Sequence, residues 1–522
     1  MSAPTLLPAY TMLPAANGYP EIKVKKTGRR ASLVSLRPDG TFGMHRPRTA
    51  EEVERSSVFQ RVRAILADPG FWLLVEQLPG SERPVIAKRG RPTDQPTWVL
   101  FLMVTTTTQV GSQRAAVSFF GDPVMWMFIS ALADRYRPAE YRSANDKMPT
   151  RNNLNLFNKK WKSKAWAPYR DRAKDVAKEY ALSEARKLGY FDPEQRLDYS
   201  APDTRQWVTL DGTVYDAPSK RNREDGGRVD PASGWHSKSG KSVGSYGTKF
   251  SLVETITDEY NEQLLLSFAH VRPKKGKQQG DEAAASEELV RELKQRAPGL
   301  RGNMSDSAFR GPHIARLLGI GVVTVNHPTA KSNPNRKTEG RMGEDRVERK
   351  IKIRNIHHKR RNGQPCAHAL HLVGSVPNQE VIDAEGNLQL APVIAHGFKE
   401  RRNRKSGTYR YYLVVRITCR HGNFEALIRL DKAARDDIQG QSRADLARLY
   451  PVGSPQFGFL YGRRNSSESI HAKMKRYMPT MPAYGALGQL LYVLGFMVAN
   501  NALALAFVAK RLGQPNALDG TG

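Results

Sequence analysis

At 522 residues the chain exceeds what one compact core accommodates, and 39% apolar residues give it the means to build several. Its 82 Lys and Arg outweigh 51 Asp and Glu, leaving +31, an excess that repels itself unless a polyanion screens it; nucleic acid is the leading partner. Two cysteines, Cys366 and Cys419, exclude a disulfide framework and fit a reducing, cytoplasmic setting, and residues 1–20 lack the basic-then-apolar pattern of a signal peptide.

Residues 1–50, rich in Pro, Gly and Arg without a sustained period, read as a basic disordered tail. From 51 to about 195 the pattern is helical. VERSSVFQRVRAIL, WVLFLMVTTTT, QRAAVSFF and VMWMFISALADRYR are separated by Gly and Pro, and their basic residues suggest a helical DNA-binding region. KRGRP at 88–92 reads as a solvated loop, with a minor-groove arm as the alternative.

Near residue 200 the period shortens. RQWVTLDGTVYD (205–216) predicts an apolar strand ending at Asp211, with Gly212 in a turn, and residues 247–271 predict a hairpin. EAAASEELVRELKQR (282–296) predicts a helix, and GLRGNMSDSAFRG (299–311) a short strand running into Asp306. A helix in PHIARLLGI and a strand in GVVTVNHP follow. This order predicts an α/β core, a mixed sheet flanked by helices, over 196–328 and 456–515. Residues 329–455 interrupt it. They open with the basic run RVERKIKIRNIHHKRR (346–361) and continue with alternating segments such as TYRYYLVVRITCR, which predicts an all-β insertion. The stretch at 487–512 is long enough to cross a bilayer, but Gln489, Asn500 and Asn501 within it favour a buried helix and no membrane.

Two predicted strands thus end in acids, Asp211 and Asp306, and Glu468 stands among cations in YGRRNSSESIHAKMK (461–475). Each has a structural explanation: a turn at Asp211, a helix N-cap at Asp306, a capping box between Asn465 and Glu468. Together they suit phosphodiester chemistry, in which divalent cations held by carboxylates from separate elements acidify a nucleophilic water or 3′-hydroxyl and stabilise the leaving oxygen. Tyr461, Arg464, Glu468 and Lys475 form Y-x2-R-x3-E-x6-K. On one continuous helix these four would share about 60° of arc; a capping box would instead start the helix near Ser466 and leave Tyr461 and Arg464 on a loop.

In these motifs the chain resembles the DDE transposases of bacterial insertion sequences, in the group marked by a Y-R-E-K signature. The resemblance rests on DGT (211–213), SDSAFRG (305–311) and YGRRNSSESIHAKMK, and spans about residues 205–512. It implies an RNase H-like core interrupted by the β insertion, with Asp211, Asp306 and Glu468 as catalytic ligands of two Mg²⁺ or Mn²⁺ ions. It further implies that Tyr461, Arg464 and Lys475 hold DNA phosphates, and that a homodimer on double-stranded DNA cleaves transposon ends and transfers them to a target. The alternative is a DNA-binding protein derived from such an enzyme, without strand transfer. Within the insertion, Cys366-Ala-His368 and Cys419-Arg-His421 form two matching C-x-H pairs. These suit either a tetrahedral zinc site or side chains packed on alternate strand positions.

Overall fold

The computed structural model describes residues 23–27, 30–36, 42–43, 56–82, 95–218, 229–237, 244–259, 261–271, 281–306, 309–327, 350–359, 365–431 and 443–515. KRGRP and the two ends of the basic run lie outside them. Where composition predicts a disordered tail, β1 (Lys23–Thr27), β2 (Arg30–Leu36) and β3 (Phe42–Gly43) pair as an antiparallel sheet.

Helices α1 (Ser57–Ala67), α2 (Pro69–Glu76), α3 (Thr97–Val110), α4 (Gln113–Phe120), α5 (Pro123–Tyr136), α6 (Arg151–Lys162) and α7 (Ala167–Lys187) follow. Their starts are chemically marked. Ser56, Asp68, Ser112, Asp122 and Thr150 each accept from a first-turn N–H, and Pro69 and Pro123 stand where no N–H is needed. The threonine run in α3 is a poor helix former in isolation. Thr105, Thr107 and Thr108 are nevertheless buried there, because their hydroxyls donate to the carbonyls of Leu102, Met103 and Thr105.

The mixed sheet centres on β4 (Trp207–Asp216). It pairs antiparallel with β6 (Gly244–Thr255), whose far edge carries β5 (Gly234–Ser237) and then β7 (Leu265–His270). On its other side β4 runs parallel to β8 (Gly302–Met304), and β8 parallel to β9 (Val323–Val325). Gly302 allows β8 to close on β4, since a Cβ there would fall 2.1 Å from the Trp207 ring. Helices α8 (Glu282–Arg296) and α9 (Gly311–Gly319) supply the crossovers that parallel pairing needs.

Between 350 and 431 every regular element among the described residues of the insertion is a strand, as its alternation predicts, while a short helix at Arg443–Leu446 departs from the all-β expectation for 329–455. β10 (Lys350–Lys359), β11 (Pro365–Val373), β12 (Val376–Ile382) and β13 (Leu388–Pro392) form one antiparallel sheet. β14 (Ile394–Arg402), β15 (Tyr409–Ile417) and β16 (Phe424–Arg429) form another. Helices α10 (Arg443–Leu446), α11 (Pro455–Gly462), α12 (Asn465–Tyr477) and α13 (Ala486–Arg511) complete the described chain.

α13 is long and apolar enough to cross a bilayer, yet most of it is buried within the protein. It packs against α3, where Gly495 permits close approach: a Cβ would stand 3.0 Å from Val104 Cγ1. Its amides serve the sheet. Asn501 Oδ1 accepts from Leu265 N (2.8 Å), Asn501 Nδ2 donates to Leu265 O (2.9 Å), and Asn500 Nδ2 donates to Gln263 O (2.9 Å). Gln113 of α4 and Trp161 of α6 also reach the segment around α13, donating to Pro482 O and Leu487 O. The helical region and the sheet therefore share one core through this helix.

A pH-dependent contribution arises where α2 meets α7. Asp68 caps α2 by accepting from Gly70 N (3.2 Å) and also accepts from Tyr180 Oη, yet burial pushes its carboxyl from the ordinary 3.8 up to about 6. The folded chain thus holds a proton that the unfolded chain has lost. The resulting stabilisation is complete below pH 3.8 and disappears as pH rises through about 6. Asp68→Asn retains the cap and should flatten this dependence; in urea titrations at pH 4 and 7, the stability change of the parent should exceed the variant's by about 2 kcal/mol.

Candidate active site

The ladder between β4 and β6 runs unbroken through the DGT triplet, pairing Asp211 with Leu252, Gly212 with Ser251 and Thr213 with Phe250. This corrects the turn predicted at Gly212, because β6 continues as a pairing partner past the glycine. Gly212 is required for space instead. A Cβ there would lie 1.8 Å from Glu282 Oε1 and 2.9 Å from Lys249 Cε.

Glu282 opens α8, whose start is fixed by Asp281 accepting from Ala284 N (3.0 Å), and it forms an ion pair with Lys249 of β6. Asp306 lies just past β8. Ser305 N donates to Val325 O (3.1 Å), and Asn326 Nδ2 donates to the carbonyls of Asp306 (3.1 Å) and Phe309 (3.0 Å), which fixes the backbone there. Asp211, Glu282 and Asp306 each place a carboxylate oxygen within 4.8 Å of the other two.

Burial raises the Asp211 carboxyl above its ordinary value. The Arg464 guanidinium at 3.7 Å, the Gly212 N–H at 2.9 Å, and then Lys249 and Lys475 oppose that rise. Burial raises Glu282 as well; Lys249 opposes it, while Asp306 and Asp211 add to it. Three half-buried carboxylates this close could hold one cation between them.

The Y-R-E-K segment is neither one helix nor a box that begins at Asn465. The chain breaks after Gly462, and α12 starts at Asn465 with Arg464 as its N-cap. Tyr461 ends up in α11, stacked on Phe457 (centroids 5.2 Å apart) and edge-on to His327 (4.5 Å). Arg464 reaches Asp211 across the break. Further along α12, Lys475 Nζ lies 5.8 Å from the Tyr215 ring centre and also acts on Asp211. Glu468 sits in the first turn of α12 and is exposed, and it is not one of the three acids that come together.

Two groups that motif reading does not single out belong to this site. Glu282 takes the place beside Asp211 and Asp306, but nothing in EAAASEELVREL distinguishes it from its neighbouring acids. His471 is buried with Nε2 3.9 Å from Asp211 Oδ2 and Nδ1 3.2 Å from Tyr215 Oη. Burial, reinforced by Lys475 and Arg464, pushes it down to about 3, so the ring is neutral. Its place one turn after Glu468 is the one signal available in advance.

In the insertion, Cys366, His368 and Cys419 come together. His421 is exposed, and its Nε2 accepts from Arg420 Nε at 3.0 Å. No protein-family model and no curated protein matches this chain.

Proposed function

We propose that the chain is a DDE transposase, cutting the terminal inverted repeats of its own element and joining them to target DNA. One observation carries the reading: Asp211 on β4 and Asp306, just past the adjacent parallel strand β8, lie with Glu282 inside a 4.8 Å cluster bordered by cations. The order β6-β4-β8-β9, with β5 and β7 both paired to the far edge of β6, antiparallel on one side of β4 and parallel on the other, supports an RNase H-like core.

Asp211, Asp306 and Glu282 would hold two Mg²⁺ or Mn²⁺ ions, with Glu468 as the further acid supplied by α12. Such ions, when bound, supply Lewis acidity to the scissile phosphate. Arg464 and Lys475 act on the Asp211 carboxylate, and in this reading they would grip phosphate oxygens beside it. Neutral His471 flanks Asp211 without adding charge. The net charge of +31 draws the duplex to the protein, and a homodimer would engage both ends.

The test uses purified chain and a duplex carrying the DNA that flanks its gene. Nicks at inverted repeats and a joined product should appear with Mg²⁺ and vanish with EDTA. The second reading, a DNA-binding protein derived from such an enzyme, draws on the Lys249–Glu282 ion pair and the exposure of Glu468. It is adopted if the duplex binds but stays intact in both Mg²⁺ and Mn²⁺.

A further inference from the structure

We propose that the β insertion carries a structural zinc site, with Cys366, His368 and Cys419 as ligands and His421 as the fourth, which staples its two sheets together. Cys366 and His368 lie on β11 of the four-stranded sheet. Cys419 follows β15, in the turn that leads to β16 of the three-stranded sheet. The two sheets are distinct hydrogen-bonded units, so a bond from Cys366 to Cys419 through a metal links elements that no ladder joins.

The distances suit a metal. Cys366 Sγ lies 3.5 Å from Cys419 Sγ and 3.2 Å from His368 Nε2, and the three donor atoms all fall within 4.8 Å of one another. Zinc binds sulfur at about 2.3 Å and imidazole nitrogen at about 2.0 Å; a tetrahedral angle then sets the donors roughly 3.5–3.8 Å apart. Small adjustments bring the observed spacing to that value. Both cysteines are free thiols, Cys419 is buried and Cys366 half-buried. Strand alternation by itself sets Cys366 and His368 on one face of β11, but it does not bring Cys419, from beyond β15 of the other sheet, to the same point.

The surroundings are built for the same purpose. His421 N donates to Cys419 Sγ at 3.4 Å, an outer-shell contact suited to a metal-bound thiolate. Gly422, at φ +112°, turns the chain back directly after this ligand pair. The His368 ring is held against Phe424, with centroids 5.4 Å apart. Beside the cluster, Gln379 of β12 donates to Thr418 O (3.1 Å) and accepts from Thr418 N (3.0 Å), so the sheets already meet in register one residue before Cys419. His421 completes the set by turning from Arg420. Metal binding releases the thiol protons of Cys366 and Cys419 to solvent.

The full chain, purified under reducing conditions from zinc-supplemented cells, should contain about one zinc per chain by elemental analysis. Cys366→Ser and Cys419→Ser should each lose most of it and melt at lower temperature, and His421→Ala should weaken retention against a chelator. Should the cysteine variants fail to fold, cobalt(II) titration of the parent replaces them. Thiolate-to-cobalt charge-transfer bands with tetrahedral d–d bands support the site. A metal-free parent with no such bands overturns the proposal, as does a Cys366–Cys419 disulfide in freshly reduced, zinc-supplied protein. Zinc content does not depend on the acid cluster, so this outcome is independent of DNA cleavage.

Discussion

Asp211→Asn should lower Mg²⁺-dependent strand cleavage by about 10³-fold, while duplex binding stays unchanged or tightens. The substitution keeps the shape of the side chain and the contact with Gly212 N, so β4 retains its register between β6 and β8. What it removes is the charge at the centre of the cluster. Arg464, Lys249 and Lys475 would then face one carboxylate fewer, which favours phosphate binding and disfavours a divalent ion. A gel assay that separates nicked from bound duplex measures both quantities. Cleavage within about tenfold of the parent would remove Asp211 from the chemistry. Glu282→Gln and Glu468→Gln belong in the same assay. If both abolish cleavage, α12 brings Glu468 to the cluster once DNA is bound; if Glu282→Gln alone does, the third ligand comes from α8.

Asn501→Leu should destabilise the fold by about 3–4 kcal/mol. The Asn501 amide meets both backbone groups of Leu265, donating to the carbonyl and accepting from the N–H, as a neighbouring strand would. Leucine fills a similar volume but leaves that N–H and carbonyl buried without these partners. Each stranded group costs about 1–3 kcal/mol. Asn501→Asp keeps the acceptor and loses the donor, so it should also destabilise. Urea denaturation of the three proteins at neutral pH measures the difference. An Asn501→Leu variant as stable as the parent would mean that water reaches the strand edge there.

Most elements from residue 205 onward were legible because their signals are local. β6 and β7 flank a polar turn, α8 follows its Asp281 cap with a helical period, and the strands of the insertion are separated by turn residues. Asp211 and Asp306 were legible as acids near strands, and their convergence follows from the parallel pairing of β4 with β8. Gly212 misleads because glycine marks both turns and close approaches, and only the three-dimensional position of Glu282 decides between them. Glu282 itself is one acid among several in a helix. Its role depends on where α8 lands on β6, which is a tertiary property. The break after Gly462 is likewise unmarked by proline, and it turns Tyr461 toward His327 while Arg464 points to Asp211. Lys, Arg and acids at helical spacing identified the neighbourhood without its backbone path.

The position of α13 has a consequence for biosynthesis. Residues 57–187 leave the ribosome long before residues 486–511, yet α3 lays its apolar surface on α13, and β7 has its backbone satisfied by Asn501. The helical region and the sheet edge therefore wait, half-built, for the same late segment. Until it arrives, α3 offers an uncovered greasy face to chaperones or to other nascent chains. A message interrupted between codons 480 and 486 would yield a polypeptide that has every acid of the cluster and no finished core to hold them.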